Sequence, residues 1–301
     1  MRDGLFSAPK ATGARMTLIK LGVLATCLAG SAMIPGCASG TGEGPGHRPQ
    51  TLALTPEQEL SLGEQAYKEV LSKSRVVRNG PEVERVRGIG QRIVTAAEIE
   101  PLQREINLRI KDYRFDWEFN VLDSNQVNAF CLPGGKVAVF TGLLRVAEKD
   151  DWLATVMAHE IAHALAHHAS ERLAQQQKLE RAAEAATGVL GRMDPQEREE
   201  LIGLLAAGAR LGSLPFDRRQ ESEADHIGLF LMTFAGFDPH EALRFWERMQ
   251  EVSQRRGKVP EILSDHPSDA RRIAQIREWI PQALAAKKAL DEGQVLPERG
   301  Q

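Results

Sequence analysis

Residues 151–168 constrain the fold more than any other segment, and they read DWLATVMAHEIAHALAHH. Their apolar side chains recur every three or four positions, which predicts a helix over 150–168. On that helix His159 and His163 lie one turn apart. At about 100° per residue, His159, Glu160 and His163 stand at about 0°, 100° and 40° around the axis. One sector of the helix surface therefore carries two imidazoles and a carboxylate.

This arrangement is typical of a hydrolytic zinc site. Two neutral imidazoles at positions i and i+4 bind Zn²⁺, and an adjacent carboxylate takes a proton from the metal-bound water without being a ligand itself. We therefore predict one zinc ion per chain, with His159 and His163 as ligands and Glu160 as the catalytic base. The alternative is a helix whose histidines are only core or surface residues.

A third ligand has to come from another segment, and residues 215–230 (PFDRRQESEADHIGLF) contain suitable acids. Glu221 and Asp225 are four positions apart and share a helix face, so Glu221 is the candidate ligand. Asp225 could accept the second ring N–H of a liganding histidine. Glu223 lies about 200° from Glu221 and is expected to face solvent. Alternatively, these acids form an exposed face that is salt-bridged to neighbouring arginines.

The pattern elsewhere predicts a mainly helical α+β fold. A first helix begins at a capping box, because Thr55 is a good N-cap and Gln58 stands three positions later. Residues 115–121 alternate between apolar and polar, and two more extended runs flank a turn at Pro133–Gly135, which predicts a small antiparallel sheet of three or four strands. The predicted helices are 56–73, 81–98, 150–168, 170–190, 195–212, 217–235, 239–255 and 268–289, and the predicted strands are 115–121, 127–131 and 136–140.

The first 36 residues resemble a bacterial lipoprotein signal. Basic residues precede the apolar run Leu21–Ile34, which is too short to span a bilayer as a permanent helix, and Gly36 stands directly before Cys37. We expect residues 1–36 to be removed, with Met16 as an alternative start, and Cys37 to become lipidated. Simple secretion and an uncleaved anchor are the alternatives.

The remaining composition predicts how the two ends behave and which partners are excluded. Residues 38–50 are rich in Gly and Pro, which favours a flexible tether over 37–54, and the tail 291–301 is expected to fray. With Cys27 in the leader and Cys37 lipidated, Cys131 remains alone, so no internal disulfide framework is expected. The formal net charge is −3, and the absence of a long basic block excludes a nucleic-acid footprint.

The sequence HEIAHALAHH followed by ESEAD resembles peptidase family M48, whose pattern is H-E-x-x-H and then E-x-x-A-D. The resemblance covers residues 55–280 and implies a zincin-like metallopeptidase domain over 55–290. It places the metal glutamate of the family on Glu221 and the supporting aspartate on Asp225. The segment NAFCLPGG resembles the N-A-F-x-x-P-G-G segment of the family, in which an edge strand pairs with an extended substrate. The residues of that strand are Asn128, Ala129, Phe130 and Cys131.

Residues 264–268 (SDHPS) resemble the H-P motif of the family. In some members this histidine sits near the zinc and can displace the water, so His266 is a candidate gate or fourth ligand; the alternative is a loop histidine packed under the following helix. Arg272 could steady a tetrahedral oxyanion, and a structural salt bridge is an equal alternative. His167 should lie about 12 Å along the axis from His159, which favours a structural role. The histidines expected at the surface are His168, His226 and His240.

The resemblance implies a zinc metalloendopeptidase of the short, lipoprotein-type branch, acting on misfolded or stalled cell-envelope proteins. Its expected partners are unfolded polypeptides and, through the lipid anchor, a membrane; the expected location is the bacterial cell envelope, on the periplasmic side of the outer membrane. The alternative is a non-proteolytic, chaperone-like assembly factor with a latched or structural zinc site. Glu160 argues against it, because a structural site needs no general base. A zinc-storage lipoprotein would carry His-rich or acidic tracts, which the chain lacks.

Overall fold

Helices form most of the chain and one small sheet packs beside them, which confirms the mainly helical α+β class. The structure is a computed structural model that describes residues 40–43, 48–108, 113–190, 217–256, 260–266 and 270–294. The predicted leader 1–36, the lipidation site Cys37 and the predicted helix 195–212 lie outside the described residues.

The described elements follow the predicted bounds closely, and the capping box is confirmed. The backbone N–H of Gln58 donates to Thr55 Oγ1, and that of Thr55 donates to Gln58 Oε1. The helices are α1 (Pro56–Lys73), α2 (Pro81–Ala97), α3 (Glu100–Glu105), α4 (Thr141–Leu144), α5 (Asp150–Leu165), α6 (His168–Leu190), α7 (Arg218–Phe234), α8 (Pro239–Arg256), α9 (Glu261–Asp265) and α10 (Ala270–Asp291). The strands are β1 (Gly40–Glu43), β2 (Pro49–Leu52), β3 (Val76–Val77), β4 (Glu118–Leu122), β5 (Ala129–Leu132) and β6 (Lys136–Phe140).

Helix α5 lies inside the hydrophobic core, because it is apolar on almost every side. All of its side chains from Leu153 to Leu165 are buried. Helix α7 packs along it more extensively than any other element in the described part of the chain. The two backbones approach closely at Gly228, where a Cβ atom would lie 3.0 Å from the backbone nitrogen of His159. Within the described ranges, no helix combines the length and the apolar character needed to cross a membrane.

The four-stranded sheet is mixed, so the prediction that it is antiparallel was wrong. The strand order is β3-β4-β6-β5, and β4 pairs with β6 in parallel, whereas β5 and β6 form an antiparallel hairpin. Gly134 and Gly135 make the hairpin turn with φ of 76° and 91°, conformations that favour glycine. The buried strand β6 takes an inner position beside β4, and this leaves β5 at the edge of the sheet.

The prediction of a flexible tether over 37–54 fails for residues 48–54. Strand β2 pairs with β1, and the backbone N–H of Leu54 donates to Ser170 Oγ at 2.9 Å. The side-chain amide of Gln50 is buried and donates to the carbonyl of Ala166 at 2.6 Å. Tertiary contacts hold this segment, and a composition rich in Gly and Pro gives no periodicity from which they could have been foreseen.

Candidate active site

Four buried side chains from three separate segments bring their ligand atoms together. His159 Nε2 lies 3.1 Å from His163 Nε2 and 3.2 Å from His266 Nδ1. Glu221 Oε1 lies 2.9 Å from His266 Nδ1 and 3.5 Å from His163 Nε2, and Glu221 Oε2 lies 3.4 Å from His159 Nε2. The structure therefore joins the two histidines of α5 with the predicted acid of α7 and the histidine after α9.

The geometry of this cluster fits a metal ion with the requirements of zinc. Zinc ligands at about 2.0–2.1 Å in a tetrahedron stand about 3.3–3.4 Å from one another. The five separations measured here run from 2.9 to 3.5 Å, and all the ligand atoms lie within 4.8 Å of one another. Three imidazole nitrogens and one carboxylate oxygen are also the donor types that zinc takes in proteins. The cluster can therefore hold a zinc ion.

The electrostatics of the cluster favour a cation. Burial acts to lower the pKa of His159, but the carboxylates of Asp225 and Glu221 outweigh it and raise that pKa to about 9. Burial acts to raise the pKa of Glu221, but His266 and His159 hold it well below its usual value, so the carboxylate is ionised. Burial lowers the pKa of His163 well below its usual value, which keeps the imidazole neutral, as a metal ligand must be.

Asp225 and Arg272 hold two of the ligands, His159 and Glu221, in place. Asp225 Oδ1 lies 2.9 Å from His159 Nδ1, the ring nitrogen that faces away from the cluster. Arg272 donates from Nε to Asp225 Oδ2 at 2.5 Å and from Nη2 to Glu221 Oε2 at 2.9 Å. Its guanidinium also lies 4.0 Å from the ring centre of Trp246. Arg272 therefore makes the structural salt bridges that were one of its two predicted roles. These salt bridges hold the carboxylate of the candidate ligand Glu221 in place.

His266 lies between the ligand cluster and the predicted catalytic base. Its Nδ1 belongs to the cluster, and its Nε2 lies 3.4 Å from Glu160 Oε1. The short helix α9 positions it, since the backbone N–H of Ile262 donates to the carbonyl of Val127 at 3.1 Å, and Glu261 accepts from the N–H of Val127 at 3.2 Å. His266 therefore occupies the place of a fourth ligand, next to the strand that borders the site.

The predicted substrate strand borders the same site. Ala129, Phe130 and Cys131 lie in β5 at the edge of the sheet, and Asn128 precedes them. Cys131 is half-buried, and the pKa of its thiol is well above the usual value because the surrounding protein desolvates it and because the charge of Glu160 is near. An edge strand next to a carboxylate and a metal-binding cluster is the arrangement by which an extended peptide can be held across a hydrolytic centre.

Comparison with known proteins decides the family. The sequence profile named Peptidase family M48 matches residues 94–280, more than half of the chain. The chain belongs to peptidase family M48. The four clustered residues and Glu160, Asp225 and Arg272 all fall within the matched region.

The chain is similar to two relatives over part of their length. It is 36% identical over 238 residues to the mitochondrial metalloendopeptidase OMA1 of Schizosaccharomyces pombe. The aligned region covers 77% of this chain and 64% of the relative. It is 28% identical over 229 residues to the beta-barrel assembly-enhancing protease of Yersinia pestis. That aligned region covers 74% of this chain and 44% of the relative. The chain therefore spans less than two thirds of the length of either relative.

His168 of this M48 chain was expected at the surface but is buried beside the site. His168 Nδ1 lies 2.8 Å from His163 Nδ1, and His168 Nε2 lies 3.1 Å from Glu223 Oε2. The predicted helix through 168 ends at Leu165, and His167 has a φ of 56°, so a new helix starts and His168 turns back toward the site. No Gly or Pro marks this break in the sequence, so the helical projection gave the wrong face.

Glu223 lies in the predicted helix, but it is buried, whereas it was expected to face solvent. It does lie on a different face of α7 from Glu221, but Arg48 covers that face, donating from Nε to Glu223 Oε2 at 2.5 Å. The other histidines lie away from the ligand cluster. The Nδ1 atom of His167 lies 2.9 Å from Glu59 Oε2. His226 was expected at the surface but is half-buried against Trp279, whereas His240 is exposed, as predicted.

Proposed function

We propose that this M48 chain is a zinc-dependent metalloendopeptidase that cleaves misfolded or stalled proteins of the bacterial cell envelope. The observation that carries the proposal is the cluster of His159, His163 and Glu221, with Glu160 on the next position of the same helix and an edge strand beside it. The names of the relatives support the substrate class, because one of them is a protease that enhances beta-barrel assembly. Attachment through a lipidated Cys37 to the outer membrane is part of the same proposal.

The residues of the chain divide the work of peptide hydrolysis as follows. A zinc ion bound by His159, His163 and Glu221 would polarise the scissile carbonyl and lower the pKa of its bound water. Glu160, buried in the site, takes a proton from the attacking water and passes it to the leaving amine. Strand β5 holds the substrate extended through its backbone, which suits broad sequence specificity.

His266 restrains this activity in the arrangement seen here. Its Nδ1 lies among the ligand atoms, where it would compete with water for a bound metal, and its Nε2 approaches Glu160. Cleavage therefore requires the segment that carries His266 to move aside. The same observation favours the second candidate function, a non-proteolytic assembly factor in which the latch stays shut.

One experiment separates the two functions. Degradation of unfolded casein is measured for the wild type, Glu160→Gln and His266→Ala, each with and without a chelator, together with the zinc content of each protein. Cleavage that is lost in Glu160→Gln and on chelation, and that increases in His266→Ala, is the expected result. Stoichiometric zinc in all three proteins without cleavage by any of them would contradict the protease and favour the assembly factor.

A further inference from the structure

A buried series of polar contacts leads from His163 to a residue near the N-terminus. The Nδ1 atom of His163 meets His168 Nδ1 at 2.8 Å, and His168 Nε2 meets Glu223 Oε2 at 3.1 Å. Arg48 Nε donates to the same oxygen at 2.5 Å. The side chain of His168 is 0% exposed and that of Glu223 is 6% exposed. Four residues from three distant segments of the sequence therefore form one connected path that ends on a metal ligand.

The chemistry of the ring nitrogens gives this path a direction. Because His163 Nε2 faces the ligand cluster, its hydrogen belongs on Nδ1 when a metal is bound. That N–H then donates to His168 Nδ1, which places the hydrogen of His168 on Nε2, where it donates to the carboxylate of Glu223. The guanidinium of Arg48 holds the carboxylate in turn. The path thus fixes both the tautomer and the ring orientation of His163, as Asp225 does for His159.

Arg48 is itself held firmly by a second carboxylate. Its Nη1 and Nη2 donate to the two oxygens of Glu171 at 2.5 and 2.7 Å. Burial acts to raise the pKa of Glu171, but the hydrogen bonds from Arg48 and Gln220 hold it below its usual value, so the ion pair persists at neutral pH. Gln50 ties the same segment to the carbonyl of Ala166, at the break between α5 and α6. The segment therefore holds the turn that directs His168 inward.

We propose that His168, Glu223 and Arg48 are positioning residues for the metal ligand His163, so that the N-terminal segment around Arg48 completes the metal centre. The inference rests on the proposed metal site but not on proteolysis. According to this inference, residues 48–54 contribute to metal binding and are not only a passive tether. Displacement of this segment should weaken the hold on the metal without touching any ligand.

Zinc affinity tests the inference directly. The full chain and its variants are titrated with zinc in competition with a chelating dye, and circular dichroism checks that each protein is folded. Partners behind metal ligands typically contribute about 10–100-fold in metal affinity, so we expect His168→Ala to bind zinc about 10–100-fold more weakly. His168→Asn should recover part of the loss, because its side-chain oxygen can accept from His163. Arg48→Ala should weaken binding less, because it acts through two intermediates.

Two comparisons distinguish positioning from a general loss of stability. Tyr67→Phe removes a buried hydrogen bond far along the chain from the site, and it should leave zinc affinity unchanged although it lowers stability. Arg48→Ala should have no further effect in the His168→Ala protein, because the path is already broken. The visible spectrum of the Co²⁺-loaded protein should shift in His168→Ala and stay unchanged in Tyr67→Phe.

The outcomes separate this inference from the proposed function. If His168→Ala and Arg48→Ala bind zinc as the wild type does and give its Co²⁺ spectrum, the inference is wrong while the protease proposal stands. If the protein binds zinc but neither the wild type nor His266→Ala cleaves casein, the protease proposal is wrong while the inference is still decided by the affinities. A wild type that binds neither metal would overturn both.

Discussion

The close approach of α5 and α7 at Gly228 should make its replacement by alanine destabilising, although it lies inside a helix. A Cβ atom there would lie 3.0 Å from the backbone nitrogen of His159 and 3.1 and 3.2 Å from the backbone carbon and oxygen of Ala158. These are backbone atoms of a buried helix and cannot rotate away. Gly228→Ala must therefore push the helices apart, and this also separates Glu221 from the histidines of α5.

The size of the effect follows from two opposing terms. Alanine in a helix interior gains about 0.5–1 kcal/mol over glycine, whereas overpacking a core contact costs about 1–3 kcal/mol. Gly88 in α2 is the matched control, because it is exposed and nothing lies within 4 Å of its Cβ position. Gly88→Ala should therefore show the gain alone. The two variants should differ by about 1–3 kcal/mol, or about 2–12 °C in Tm for a domain of this size.

Thermal unfolding with and without zinc measures both consequences. Gly88→Ala should raise Tm slightly and keep the full stabilisation by zinc, whereas Gly228→Ala should lower Tm relative to that control and respond less to zinc. The reduced response is expected because the ligand atoms lie on both helices. If Gly228→Ala raises Tm as much as Gly88→Ala and gains as much from zinc, the helices are not packed as tightly as this reasoning requires.

Tyr67→Phe should lower the free energy of unfolding in urea by about 0.5–1.5 kcal/mol, because the hydroxyl donates to the buried carbonyl of Val137 at 2.6 Å; an unchanged value would contradict this. Asp225→Asn should weaken zinc binding about 10–100-fold in dye competition, and equal affinity would remove the supporting role given to this acid. Iodoacetamide should alkylate Cys131 at pH 8 more slowly than a free cysteine and faster as pH rises, because desolvation and the charge of Glu160 raise the pKa of its thiol well above the usual value. A rate equal to that of the unfolded protein would refute this.

The sequence by itself determined the features that depend on neighbouring residues. Helical spacing over 151–168 placed His159, Glu160 and His163 on one face, and the acids of α7 were assigned to one helix with Glu221 toward the site. The capping box at Thr55 was readable because both of its hydrogen bonds join residues three positions apart. Such contacts form within one turn of chain, so composition and spacing are sufficient to predict them.

Only the tertiary structure decided the features that join distant residues. The inner position of β6 depended on which strand could be buried on both sides, and this turned an expected antiparallel sheet into a mixed one. The burial of Glu223 depended on Arg48, 175 positions away, and the inward turn of His168 depended on a left-handed residue with no sequence signal. A periodic pattern shows which side of an element is apolar, but it does not show what packs against the polar side. In this chain the contacts that hold His163 from the side away from the cluster involve Arg48, from a segment that the sequence presented as a tether.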